Sequence, residues 1–394
     1  MQKKYAPFFP VYLTAFFFAL QASIPLYVNS SFLGQFLPEK SVGLIFTASS
    51  VLTIFLLAKF PNVLNRFGNY KTTSGIVVIQ SALLVALALS FHSFVVIPIF
   101  IAIQVFAALG FFSLDIFLER FSSDNTTGVT RGVYLTIMNG AVLLGPLVAG
   151  IILSNGDFGK IYFVAALMLV PALYIITKKL RNFADPAYHK VHYIKTLMEI
   201  VFSRHPKDAI RHVVIANLLL WFFYAWMIIY TPLYLHNHIG FEWNTIGVIF
   251  AIMLLPFVLF ELPVGALADR IGEKGIMVLG FIILSFFTAI LFFIREPSVV
   301  MWAAILFCTR VGASFVEITS ESYFFKHIQS ADAHILSVFR NSPPFAYIVA
   351  PLIAFVVFAF ASVEYLFLVL SVILLYGIWI AWNMTPASKE KNPA

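Results

Sequence analysis

The chain has 394 residues, 61% of them hydrophobic and only 11% charged, with 25 Lys or Arg against 18 Asp or Glu. Soluble proteins carry about 25% charged residues, so this composition excludes a soluble enzyme, a coiled coil and a disordered chain. The net charge of +7 raises nucleic acid as a partner, but the placement of the basic residues accounts for it otherwise.

A helix crossing a bilayer takes about 20 residues. Apolar stretches of that order fall near 8–30, 41–60, 72–92, 94–118, 132–154 and 160–177, and again near 212–235, 244–264, 275–294, 298–321, 335–360 and 363–383. The first follows a basic start and runs to full length, so it reads as a membrane helix and not as a cleaved leader. Between the two sets lies a polar segment, 178–211, with eight Lys or Arg. Cys308 is the only cysteine, so no disulfide within the chain and no cysteine-based metal site is expected.

Lys and Arg accumulate on the cytoplasmic side of membrane helices. Twelve spans place 21 of the 25 on the side of the amino terminus, the 178–211 segment and the carboxyl terminus. Lys40, Lys160 and Arg295 fall on the other side, and Arg310 is left within a span. Both termini are therefore expected in the cytoplasm, and nucleic acid is not needed to explain the charge.

The two sets of spans repeat each other. Ile24-Pro25-Leu26-Tyr27 returns as Thr231-Pro232-Leu233-Tyr234, and Ser41-Val42-Gly43-Leu44-Ile45-Phe46 as Thr245-Ile246-Gly247-Val248-Ile249-Phe250. Asn65-Arg66-Phe67-Gly68 returns as Asp269-Arg270-Ile271-Gly272. Gly110 precedes Asp115 and Glu119 as Gly312 precedes Glu317 and Glu321, and Gly145-Pro146 matches Ala350-Pro351. Five matches in one order and near-constant register are the mark of an internal repeat. An even number of spans separates them, so the halves run parallel, as in transporters whose bundles rock about a midplane site.

The stretch Gly265-Ala266-Leu267-Ala268-Asp269-Arg270-Ile271-Gly272-Glu273-Lys274, between spans eight and nine, closely matches the loop signature of the major facilitator superfamily. The equivalent loop, Pro61 to Lys71, keeps Arg66, Gly68 and Lys71 but has Asn65 in place of the acid. The sequence thus resembles that family over essentially its whole length. The resemblance implies an all-α integral membrane fold, twelve transmembrane helices in two parallel-repeat six-helix bundles. The bundles are expected at 1–177 and 212–394, with 178–211 a cytoplasmic linker.

In that family the loop serves as a cytoplasmic latch, and the resemblance assigns gating to Asp269, Arg270 and Lys274. An acid there can face a helix amino terminus, where free N–H groups favour negative charge; Asn65 keeps hydrogen bonding without the charge. A solvated loop that obeys the charge rule is the plainer alternative. Asp115, Glu119, Glu317 and Glu321 lie in the last third of their expected spans, near Arg66, Lys71, Arg131, Arg270 and Lys274. Pairing into a gate network is favoured over a proton site, and Arg131-Gly132 opens span five as in the family's sugar porters.

Arg310 is different, because it lies near the middle of span ten. Arg310, Ser314, Glu317 and Glu321 share one helical face, a polar stripe that must avoid lipid. Either Arg310 receives an anionic substrate group, with Glu317 beside it, or it forms a structural pair with Glu317 or Glu261. Gln21, Asn139 and Tyr224 are further candidates to line the site, as are the polar-tipped aromatics of span seven. Gly140, Gly145, Pro146 and Gly150 loosely resemble the glycine-proline motif of the family's antiporters, and such small residues also serve close packing. Pro343-Pro344 should break span eleven and free backbone carbonyls.

No catalytic constellation, haem or metal site, or nucleotide-binding loop is evident. The leading expectation is a secondary active transporter that works by alternating access, leaning to ion-coupled export of a small amphipathic or anionic molecule, with proton or sodium as the ion. The alternatives are an uptake carrier for a sugar or organic anion, a uniporter, and a membrane-embedded receptor or lipid-modifying enzyme. The expected partners are the small-molecule substrate and the lipid bilayer, with no cofactor. The chain is expected as a monomer in a bacterial inner membrane.

Overall fold

The structure, a computed structural model, describes residues 8–121, 127–153, 156–188, 192–202, 208–328 and 333–384. Those residues form helices and no strands. In order they are α1 (Phe9–Leu26), α2 (Asn29–Gly34), α3 (Glu39–Phe67), α4 (Asn69–Ala88), α5 (Ser93–Phe121), α6 (Thr127–Leu153) and α7 (Phe158–Lys179). Next come α8 (Tyr193–Phe202), α9 (Asp208–Asn237), α10 (Trp243–Ile271), α11 (Glu273–Leu291), α12 (Val299–His327), α13 (Ala333–Arg340), α14 (Ser342–Phe360) and α15 (Tyr365–Trp382). Among the described residues, 12 helices are long and apolar enough to cross a membrane.

Burial runs as lipid dictates. Large apolar side chains stand on the outside, including Leu262, Val300 and Phe360, while Thr14, Gln21, Gln80, Ser113 and Arg310 are buried. Hydroxyls inside the helices return to their own backbone: Thr14 donates to Pro10 O at 2.7 Å, Thr53 to Ser49 O at 2.8 Å and Thr73 to Asn69 O at 2.7 Å. In a medium without water, such bonds satisfy groups that nothing else would.

The chain divides into two compact units, Met1–Lys190 with Glu242–Ala251, and Val191–Phe241 with Ile252–Ala394. In the first, α1 packs on α5, α6 and α7, and α4 on α5 and α7. In the second, α9 packs on α12, α14 and α15, and α11 on α12 and α15. Each of these pairings in one unit has its counterpart in the other, so the repeat seen in sequence is also a repeat of packing around α1 and α4, α9 and α11. Segment 178–211 does not travel as one piece. Its start stays with the first unit, whereas α8 packs on α9 and α13 of the second.

Two details follow directly from residue chemistry. Gly68 (φ 77°, ψ 158°) and Gly272 (φ 92°, ψ 152°) stand at matched positions of the repeat and open α4 and α11. That backbone region is essentially closed to residues with a Cβ, so a single glycine suffices to reverse the chain between two long helices. Gly312 and Gly280 bring α12 and α11 into backbone contact: a Cβ on Gly312 would lie 2.6 Å from Leu284 N and 2.7 Å from Gly280 O.

Span eleven is broken as the paired prolines require. The helix stops at Arg340 and restarts at Ser342, with Asn341 between. Pro343 has no N–H to give to Phe339 O, four residues earlier. Asn217 of α9 supplies the missing donor at 3.3 Å, and Ser342 Oγ adds a second at 2.7 Å. Asn217 also donates to Ser342 Oγ at 3.1 Å.

Candidate functional site

The polar stripe of α12 is present and faces inward. Arg310 is 1% exposed and stands one turn short of the helix midpoint. Its guanidinium carbon lies 4.7 Å from the ring centre of Phe223 and 5.6 Å from that of Tyr224, both on α9. Cation–π contact of this kind offsets part of the cost of desolvating the charge. Nη1 of Arg310 has no hydrogen-bond partner among the described residues. A cationic side chain with an unused donor thus lies against two neighbouring aromatic rings of α9.

Glu317 is committed elsewhere. The Tyr224 hydroxyl donates to its Oε2 at 2.6 Å, and no ion pair joins Glu317 to Arg310 among the described residues. Of the two structural pairings open to Arg310, the one with Glu317 is therefore not formed. Glu317 also stands deeper than the expected last third of its span. The helix continues to His327, six residues past the predicted end at 321, and this extension carries the second site described below. Ser314 is buried and donates to Val311 O at 2.9 Å, while Glu321 is half-buried. Phe257 of α10 packs on the Tyr224 ring at 6.1 Å.

Gln21 and Asn139 belong to the first unit. Gln21 on α1 is 1% exposed and its Oε1 has no partner among the described residues; Asn139 on α6 is half-buried. Ser23 Oγ donates to Ala141 O at 3.0 Å, and a Cβ on Gly145 would meet Ser23 O at 2.6 Å. The turns carrying Gln21 and Asn139 are thus held side by side. Gly150 takes a similar close contact from Gly247 within the same unit. Arg310, Tyr224 and Glu317 form one cluster, and Gln21 with Asn139 a separate one.

The residues of the signature loop form a second constellation, at the far end of α12. Lys326 Nζ lies 2.7 Å from Asp269 Oδ1 and 2.6 Å from Glu273 Oε1. Glu273 is buried and also accepts from Ser322 Oγ at 3.0 Å. Lys274 Nζ stands 5.8 Å from the Trp382 ring, and Arg270 is exposed. These groups line a cavity of about 630 Å³ with Tyr323. In the sequence Lys326 is one basic residue among many, and Glu273 is part of a motif. Their partnership needed the register of α11 against α12, which no local pattern carries.

The matching loop of the first unit is held differently. Asn65, in the place of the acid, donates to Tyr188 O at 3.1 Å. Asp185 Oδ1 accepts from Asn69 N at 2.6 Å and from the Tyr188 hydroxyl at 2.5 Å. A carboxylate from the 178–211 segment therefore sits at the amino end of α4, where free N–H groups favour it. Burial, then hydrogen bonding to Asp185, pushes the Tyr188 phenol well above its usual range. Arg66 lies 5.2 Å from the Phe67 ring, Asp115 is half-buried and Glu119 exposed. Arg131 lies in α6, with its side chain outside the described residues.

Among the described residues, no group of three or more His, Cys, Asp or Glu is placed to hold a metal ion. A search of curated proteins finds no match. The crystal structure of a mutant of the nucleoside transporter NupG is similar in fold, with a TM-score of 0.74 at 12% identity, covering 96% of this chain and 99% of that one. The profile of the Major Facilitator Superfamily matches residues 11–341 and 213–394. With twelve candidate spans, a two-fold packing repeat and the signature loop between α10 and α11, the chain belongs to the major facilitator superfamily and is a multi-pass secondary transporter.

Proposed function

We propose that the protein exports a small amphipathic or anionic molecule by alternating access, coupled to a proton or sodium ion. The observation that carries this reading is Arg310, buried near mid-helix against the Phe223 and Tyr224 rings, with Nη1 unpartnered among the described residues. A carboxylate or phosphate could take that donor, while Phe223 and the Tyr224 ring receive an apolar or aromatic portion. Gln21 and Asn139 are the first bundle's own candidates for neutral hydrogen bonds to a solute. In this reading the bundles are 1–177 and 212–394, and Asp269, Arg270, Lys274 and Lys326 gate the cytoplasmic side with Glu321, Asp115, Glu119, Arg66 and Arg131. Both termini are cytoplasmic, and the protein acts as a monomer in a bacterial inner membrane. The direction rests on the glycine-proline pattern around Gly145-Pro146. Uptake of a sugar or organic anion is the competing direction, motivated by Glu119 and Arg131-Gly132, and the fold neighbour's nucleosides belong in the same panel of solutes.

The test is flux in liposomes containing purified protein, with and without a pH or sodium gradient, across organic anions, sugars, nucleosides and lipophilic cations. Export coupled to an ion requires that an opposing gradient accelerate efflux of an accepted anion. Flux indifferent to both gradients for every accepted solute would reject coupling and leave a uniporter.

A further inference from the structure

Helix α8 is too short to cross a bilayer. Its 10 residues rise about 15 Å, against a hydrocarbon core of about 30 Å. It nevertheless carries an apolar face that nothing in its unit covers. Tyr193 and Thr196 are buried against the protein, which fixes the rotation of the helix. Ile194, Met198 and Phe202 are then left 63%, 52% and 71% exposed on the neighbouring face. Beyond them, on the third face, Lys195 and Glu199 form an ion pair at 3.8 Å in the open. Protein, apolar and charged faces thus follow one another around a single short helix, which is the pattern of a helix lying in a membrane–water interface.

We infer that α8 lies in the headgroup region of the leaflet at the linker's end of the spans, its Ile194, Met198 and Phe202 face inserted among acyl chains of anionic phospholipids. Position and charge both select lipid as the occupant. The helix is flanked in sequence by the membrane helices α7 and α9, and α9 begins at Asp208, only a few residues after Phe202. The surrounding segment holds Lys178, Lys179, Arg181, Lys190, Arg204, Lys207 and Arg211, and basic residues near a membrane surface are drawn to anionic lipid. Because α8 packs on α13, its lipid contact would also steady the short segment that precedes the break in span eleven.

Spin labels on the full-length protein in vesicles read this directly. Ile194→Cys, Lys195→Cys, Met198→Cys, Glu199→Cys and Phe202→Cys are each made with Cys308→Ala and labelled. Labels at 194, 198 and 202 should relax faster with oxygen than with a water-soluble nickel chelate, and labels at 195 and 199 should show the reverse. Labels at 194, 198 and 202 that meet nickel as readily as 195 would overturn the inference in favour of a solvated helix. Labels shielded from both reagents would overturn it in favour of a protein partner, and shielding that grows with protein density would identify a second copy. The 198 label should lie deeper in vesicles containing phosphatidylglycerol than in pure phosphatidylcholine. Equal depth would remove the anionic preference.

Discussion

A buried arginine is costly unless something receives its charge, and at Arg310 that something is two aromatic faces on α9. Tyr224 does double work there, lending its ring to Arg310 and its hydroxyl to Glu317. Tyr224→Phe separates the two roles, keeping the ring and removing the hydrogen bond to a half-buried carboxylate. The expected cost is about 1.5–3 kcal/mol, read as a lower unfolding temperature in detergent. Stability equal to wild type would mean that the 2.6 Å bond contributes nothing. In the first unit, Asp185→Asn should cost about 1 kcal/mol by removing negative charge from the amino end of α4, with the difference shrinking in high salt. An unchanged unfolding temperature at low salt would count against a capping role. The raised Tyr188 phenol adds a sign: its contribution is complete below the ordinary tyrosine value of about 10 and fades as pH rises beyond it. Tyr188→Phe should therefore blunt the alkaline loss of stability. Arg310 and Glu317 could be read from sequence because charge inside an apolar span is rare. Asp185, Tyr188 and Phe223 could not, since a carboxylate in a polar segment and a phenylalanine in a Phe-rich helix carry no local signal.

Helices and their breaks were legible wherever backbone chemistry decides them. Pro343-Pro344 marks the interruption of span eleven, and the matched Gly68 and Gly272 of the repeat stand where the structure turns between long helices. What closes that interruption was not legible, because Asn217 lies more than a hundred residues away and only tertiary packing brings it to Phe339 O. Asn217→Ala should leave that carbonyl to Ser342 alone. The expected loss is about 1 kcal/mol, with faster amide hydrogen exchange across residues 338–346. Exchange unchanged at those amides would show that Ser342 suffices. The extension of α12 beyond the expected end has the same origin: Ser322 and Lys326 look like a loop by hydropathy, yet Glu273 and Asp269 hold them in helical register.

At the scale of the whole molecule, the scarcity of charge first marks lipid as the solvent and then marks the sites. Basic residues cluster at one end of the spans, an Asp269–Lys326–Glu273 network holds the turn between α10 and α11, and Arg310 stands apart at mid-helix. The pairings of α1 and α4 in one unit repeat as those of α9 and α11 in the other, as alternating access between two related bundles would require. The most direct test compares wild type with Arg310→Gln for flux of anionic and neutral amphipathic solutes into and out of liposomes, at matched amounts of folded protein. Saturable flux of an anionic solute that falls at least about tenfold in the variant, as loss of a charge-assisted hydrogen bond implies, is the expected result. Wild-type flux of every accepted solute through Arg310→Gln would contradict it.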